Sequence, residues 1–148
     1  MPGPDFHILI VDDEPGDVHL IKAAITEGRF LCQMSVAKDG VEAMAFLRKE
    51  APSFLDAQRP DLMLLDLNMP RMDGREVLKA IKADPQLAHV PVVVMTTSDA
   101  ESDILMSYHL GAAGYVTKPV GIDALFQAVH LIEDYWIGLV RCPPNDGA

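Results

Sequence analysis

Asp66 is the residue around which chemistry can be built. It follows the apolar run Leu62-Met63-Leu64-Leu65 and precedes Leu67-Asn68-Met69-Pro70. A carboxylate at the end of such a run can attack phosphorus, hold a hard metal ion, or cap the turn that follows. Other polar residues end similar runs. Ile8-Leu9-Ile10-Val11 is followed by Asp12 and Asp13, Val92-Val93-Val94-Met95 by Thr96, and Tyr115-Val116-Thr117 by Lys118. If these runs are parallel strands, three carboxylates, a hydroxyl and an ammonium meet at one edge of a sheet. At ~4 Å and an effective dielectric near 20, each carboxylate pair costs about 4 kcal/mol. A divalent cation offsets that repulsion, and Mg²⁺ prefers carboxylate oxygens and water. Lys118 adds a fixed positive charge. The set suits transfer of a phosphoryl group to a carboxylate, which needs positioning and charge neutralisation more than proton shuttling. No Ser-His-Asp or Cys-His pairing falls at the same edge, which disfavours acyl transfer.

The elements that must position these residues alternate along the chain. Strands are expected at His7–Val11, Cys32–Ala37, Leu62–Leu65, Pro91–Met95 and Gly114–Thr117. Short apolar runs bounded by turn residues read as strands buried on both faces, and the more polar Cys32–Ala37 belongs nearer an edge. Between them, apolar residues at helical spacing predict helices. These are Val18, Ile21 and Ile25; Ala43, Phe46 and Leu47; Val77, Leu78 and Ile81; a helix over about Ala100–Leu110; and one from Ile122 to about Val140. The segment from Ala51 to Pro60 is a loop or a helix extension. Five alternations predict a doubly wound five-stranded α/β domain with a parallel sheet and helices on both faces. Ligands of such sheets sit at the carboxyl ends of the strands.

Size and composition agree. The 148 residues, 49% of them hydrophobic, suit one domain, expected over residues 6–140 with a tail at 141–148. A formal net charge of −10 disfavours nucleic acid and anionic membranes as partners and favours a cation or a basic surface. Cys32 and Cys142 have neither metal spacing nor a disulfide framework, as expected of a cytoplasmic protein. From the residues at the start of the sequence no signal peptide is expected, and without a run of ~20 apolar residues no membrane span is expected.

Taken in order, these segments resemble the receiver domain of two-component response regulators, from about Phe6 to Tyr135. The matching segments are Ile8 to Glu14, Leu64 to Gly74, Met95-Thr96, and Gly111 to Pro119. The resemblance implies a flavodoxin-like receiver fold. It implies that Asp66 accepts phosphate from a sensor histidine kinase and that the protein assists its own phosphorylation and dephosphorylation without being an enzyme. Direct Mg²⁺ ligands would be Asp13, Asp66 and the backbone carbonyl of Asn68, with Asp12 acting through water. Lys118 would pair with the acceptor and then with its phosphate. Thr96 and Tyr115 would form a switch, Tyr115 turning inward as Thr96 is drawn to the phosphate. A cis Lys118–Pro119 bond is also expected by likeness.

Several features are similar to the receivers that partner bacterial and cyanobacterial phytochromes: the longer 51–60 segment, Thr97 beside Thr96, the run Ile132 to Trp136, and Pro143-Pro144. That likeness implies a phytochrome-type kinase and a homodimer through the terminal helix and tail. Trp136, Ile137, Leu139 and Val140 would lie at that surface or fold back on their own domain. Asp73-Gly74 reads as a turn and helix start. The alternative from another class is a Mg²⁺-dependent aspartyl-phosphate phosphatase or phosphotransferase. It needs a second carboxylate two residues after the nucleophile, where this chain has Asn68.

Overall fold

The computed structural model describes residues 6–50 and 52–139. Five strands and five α-helices alternate: β1 (Phe6–Val11), α1 (Pro15–Glu27), β2 (Cys32–Ala37), α2 (Gly40–Arg48), β3 (Leu62–Leu65), α3 (Gly74–Ala83), β4 (Val92–Thr96), α4 (Glu101–His109), β5 (Gly114–Thr117) and α5 (Ile122–Trp136). All strand pairs are parallel and the order is β2-β1-β3-β4-β5. The more polar β2 and β5 are the edges. The central strands are buried throughout.

Alternate residues of each central strand face opposite layers. Leu9, Val11, Met63, Leu65, Val92 and Val94 pack with the buried faces of α2 and α3. Ile8, Ile10, Leu62, Leu64, Val93 and Met95 pack with Ile21 and Ile25 of α1 and Leu125, Val129 and Ile132 of α5. Each such side chain stabilises the fold by roughly 1.5–3 kcal/mol on burial. Helix α4 is held differently. Its one buried residue is Ser107, while Leu105, Met106 and Tyr108 are exposed.

Two expectations are revised, and one that was left open is resolved. Helix α5 ends at Trp136, not near Val140, because the chain turns there. The Gly138 amide donates to the Asp134 carbonyl, and Trp136 packs back against the α1–α5 core. The tail from Val140 onward, including Cys142 and Pro143-Pro144, lies outside the described residues. The 52–60 segment is a loop with one 3₁₀ turn, Pro52–Phe54, and Phe54 anchors it edge-on against Phe46 at 5.5 Å. No peptide bond among the described residues is cis, so Lys118–Pro119 keeps the trans form that an X–Pro bond ordinarily prefers.

Helix α5 also buries a charge. Glu133 is 2% exposed; among the described residues its Oε1 has no partner, and its Oε2 accepts only a long bond from Cys32 Sγ at 3.8 Å. Gly28 makes room for it, since a Cβ there would stand 2.5 Å from Oε1. Burial pushes the Glu133 carboxyl up to about 6 and, with Glu133's charge beside it, the Cys32 thiol up to about 12. The folded protein therefore holds the Glu133 proton more tightly than the unfolded chain does. Its stability falls as pH rises from about 4.5 through about 6. Glu133→Gln removes that loss. The substitution is expected to raise the thermal midpoint at pH 7.5 by roughly 3 °C, for about 1 kcal/mol, and to change it little at pH 5. Scanning calorimetry at both pH values checks this; an equal gain at pH 5 would count against a charged Glu133.

Candidate metal centre

Strand register builds the site. Val11 of β1 pairs with Leu65 of β3, so Asp12 and Asp66, each one residue further, lie side by side. The ladder continues through them: the Asp66 amide donates to the Val11 carbonyl at 2.9 Å, and the Asp12 amide to the Ala37 carbonyl at 3.1 Å. On the other side of β3, Leu65 pairs with Val94 and Thr96 with Thr117, which brings Thr96 and Lys118 to the same edge. The Lys118 amide donates to the Thr96 carbonyl at 2.6 Å. Asp12 also shapes the exit from β1, since its Oδ1 accepts from the Glu14 amide at 2.9 Å and starts the turn into α1.

Asp12, Asp13 and Asp66 each offer a carboxylate oxygen, all within 4.8 Å of one another. Asp12 is 3% exposed and Asp66 9%, so the acceptor candidate is recessed, not open; Asp13 and Asn68 are exposed. Three hard oxygen donors at this spacing fit a divalent cation such as Mg²⁺. The Asn68 carbonyl belongs to the loop two residues beyond Asp66. A groove of about 330 Å³, lined by Asp12, Asp13, His19, Lys22 and Lys38, opens beside the cluster between α1 and β2.

Lys118 is nearly buried, and its Nζ lies 2.6 Å from Asp12, 2.9 Å from Asp17 and 3.6 Å from Asp66. Its short bonds thus go to Asp12 and Asp17, with Asp66 the most distant of the three. Asp17 escaped the sequence reading, because an acid in the first turn of a helix is explained by the helix dipole alone. Burial alone would lower the Lys118 pKa. Hydrogen bonds to Asp12 and Asp17 and the charges of Asp12 and Asp66 outweigh it, raise the pKa and keep the ammonium charged. Burial pushes the Asp12 carboxyl upward despite its bond to Lys118.

Thr96 is fully buried and its hydroxyl has no partner among the described residues. An unsatisfied buried hydroxyl costs about 1–3 kcal/mol. It is a donor awaiting an acceptor at the strand end nearest Asp66. Tyr115 is half-buried against the α2–α3 core, and its hydroxyl donates to the Ser98 carbonyl at 2.8 Å. The β4–α4 loop that receives it is braced, since the Ser98 hydroxyl donates to Asp103 at 2.6 Å and Asp103 pairs with Arg75 at 2.7 Å. Thr97 is exposed.

Comparison with known proteins converges on one group. The profile of the response regulator receiver domain matches residues 8–130. The chain is 40% identical over 136 residues to response regulator Rcp1 of Synechocystis sp., covering 92% of each chain. The crystal structure of the phosphorylated cyanobacterial phytochrome response regulator RcpA superposes with a TM-score of 0.90, at 43% identity, over 97% of this chain and 100% of that one. The Mn²⁺-bound form of Rcp1 gives 0.88, at 40% identity, over 94% and 99%.

Proposed function

This chain belongs to the response regulator receiver family, and from that premise we propose that Asp66 takes up a phosphoryl group from a sensor histidine kinase of the phytochrome type. The observation that carries the reading is the meeting of three carboxylates within 4.8 Å, with the Lys118 ammonium 3.6 Å from Asp66. The phosphorylated and Mn²⁺-bound forms of its relatives RcpA and Rcp1 support it.

An Asp66 carboxylate oxygen attacks phosphorus. The P–N bond of the donor's phosphohistidine breaks, and its electron pair returns to the imidazole nitrogen. Asp13, Asp66 and the Asn68 carbonyl would hold Mg²⁺ directly and Asp12 through water. Bound there, Mg²⁺ supplies neutralisation of phosphoryl oxygens. Lys118 neutralises another oxygen and stays protonated throughout. The Thr96 hydroxyl gains the acceptor it lacks. Asn68, an amide, has no proton to shuttle in the manner of an aspartyl-phosphate phosphatase, so the protein is a phosphoacceptor and not a turnover enzyme. A cytoplasmic site of action follows from the partner.

The signal leaves through Thr96 and Tyr115. About two added charges bias the β4–α4 loop, whose helix α4 is loosely packed and therefore inexpensive to move. The exposed Leu131 and Tyr135 of α5 and Tyr108 of α4 rim an apolar groove of about 430 Å³ and carry a homodimer. Leu131→Glu together with Tyr135→Glu is expected to give monomer in sedimentation; an unchanged dimer moves the contact elsewhere.

The central test uses a small phosphodonor. The full chain should gain one phosphoryl group that is stable in acid, released by base, and absent when Mg²⁺ is chelated. Label that survives base, or forms equally in chelator, rejects the acceptor reading.

A further inference from the structure

The loop between β3 and α3 carries two of the proposed ligands, and it is fastened to a helix that contributes none. Asp39 caps α2. Its Oδ1 accepts from the Glu42 amide at 2.8 Å, so the cap is already complete. Its Oδ2 accepts from Arg71 Nε at 2.9 Å and lies 2.8 Å from Arg71 Nη2. Asp39 is only 4% exposed, so this is a buried carboxylate gripped by two donors of a single guanidinium. The Arg71 side chain is itself 57% exposed, so the pair is solvated on that side and supplies geometry more than stability.

The grip coincides with an unusual backbone. Arg71 has φ +65°, a left-handed conformation that side-chain-bearing residues seldom adopt. Beside it, the Met72 amide donates to the Pro70 carbonyl at 2.7 Å, and the Met72 carbonyl accepts from the Gly40 amide at 3.0 Å. The contact is close enough that a Cβ on Gly40 would stand 2.2 Å from that carbonyl. The Gly74 amide donates to the Leu67 carbonyl at 2.9 Å and closes the far end. Residues 67–74 thus form a loop shut at its base and pinned at its crest to the start of α2. Asn68 sits between the two fastenings.

We propose that the Asp39–Arg71 pair is a positioning clamp: it holds the β3–α3 loop, in its left-handed turn, at the height where the Asn68 carbonyl and Asp66 face one divalent cation. This rests on the Mg²⁺ reading above and deepens it. The Arg71 hydrogen bonds go to Asp39, which is not one of the proposed ligands. It sets cation affinity, and through it the donor concentration and Mg²⁺ needed for phosphorylation. With Mg²⁺ saturating, the transfer rate is unaffected. An arginine suits the role because one rigid plane delivers both donors to one oxygen; lysine supplies a single point contact.

The test compares wild type, Arg71→Met, Arg71→Lys and Asp39→Asn in the full chain. Asparagine keeps the cap acceptor for Glu42 and loses the charge, so α2 stays capped if Arg71→Met should fail to fold. Mg²⁺ affinity is read by calorimetry. Phosphodonor labelling is read at limiting and saturating Mg²⁺, and the thermal midpoint in chelator. Arg71→Met and Asp39→Asn should weaken Mg²⁺ about tenfold and slow labelling at limiting Mg²⁺ alike, with rates within twofold of wild type at saturation. Arg71→Lys should fall between. If Mg²⁺ affinity stays within twofold of wild type while the midpoint drops, the pair is merely structural and the clamp is overturned. A wild type that binds no Mg²⁺ overturns the acceptor reading as well, so the two failures are distinct.

Discussion

Asp66→Asn is expected to yield a folded, slightly more heat-stable protein whose phosphoryl uptake falls at least 1,000-fold. The amide has nearly the carboxylate's shape, so β3 and its ladder to Val11 are kept. What disappears is the nucleophilic oxygen, for which an amide oxygen is no substitute. The stability gain follows from counting charges near Asp66. Two carboxylates, Asp12 and Asp13, repel it within 4.8 Å, whereas Lys118 attracts it from 3.6 Å and is already engaged by Asp12 and Asp17. With Asp13 exposed and screened, the net relief is about 1 kcal/mol, or roughly 3 °C in the midpoint, in chelator at low salt. Adding Mg²⁺ should stabilise wild type and leave the variant nearly unmoved. Mass spectrometry of the phosphodonor reaction and calorimetry with and without Mg²⁺ decide it. Equal labelling of the two proteins would remove Asp66 from the chemistry, and a lower midpoint in chelator would mean the carboxylates are not in mutual repulsion.

Gly74→Ala is expected to cost much stability through a single methyl group. Gly74 begins α3 directly behind the capping residue Asp73, whose side chain and that of Glu76 bond reciprocally across the first turn. A Cβ at Gly74 would stand 2.4 Å from the Asp66 carbonyl oxygen and 2.8 Å from the Leu67 Cα. Both obstacles are backbone, and neither can swing aside as the end of a side chain would. Either α3 shifts off the sheet or the chain at Asp66 moves. Strain of this kind costs about 3 kcal/mol, which for a chain of this size lowers the midpoint by roughly 9 °C. Because the displaced carbonyl is that of Asp66 itself, Mg²⁺ affinity should drop in the same variant, tenfold or more. Denaturant titration and calorimetry read the two effects. Gly16→Ala, where the nearest obstacle is the tip of the Glu14 side chain at 3.2 Å, is the mild control. A Gly74 variant as stable as that control would show that the approach of α3 to Asp66 is not tight.

The site was legible where it rested on period and position. Short apolar runs ending in Asp12, Asp66, Thr96 and Lys118 needed only parallel pairing to meet, and parallel strands follow from the helices between them. What stayed hidden depended on side chains reaching across elements. Asp17 looks like an ordinary first-turn acid and is a second anchor for Lys118. Asp39 and Arg71 stand 32 residues apart, and nothing in either neighbourhood announces the other. Glu133 lies on a helix whose outer face is polar, so its burial beneath Gly28 could not be inferred from spacing. Asp73-Gly74 was visible as a helix start, but the reason for the glycine, an approach to the back of Asp66, is tertiary. The end of α5 was misplaced because the apolar residues beyond Trp136 continue the pattern after the backbone has turned away.

Among the described residues, strand β5, which carries Tyr115, has a neighbour on one side only. Bending it unzips a single ladder, whereas bending β3 would unzip two. On the proposed reading, chemistry and broadcast are therefore mechanically segregated: the proposed acceptor is bolted to the central rib of the sheet and the proposed reporter to its rim. A fluorescent label or an engineered binder fixed along that rim would register the state of the protein without slowing the reaction that sets it.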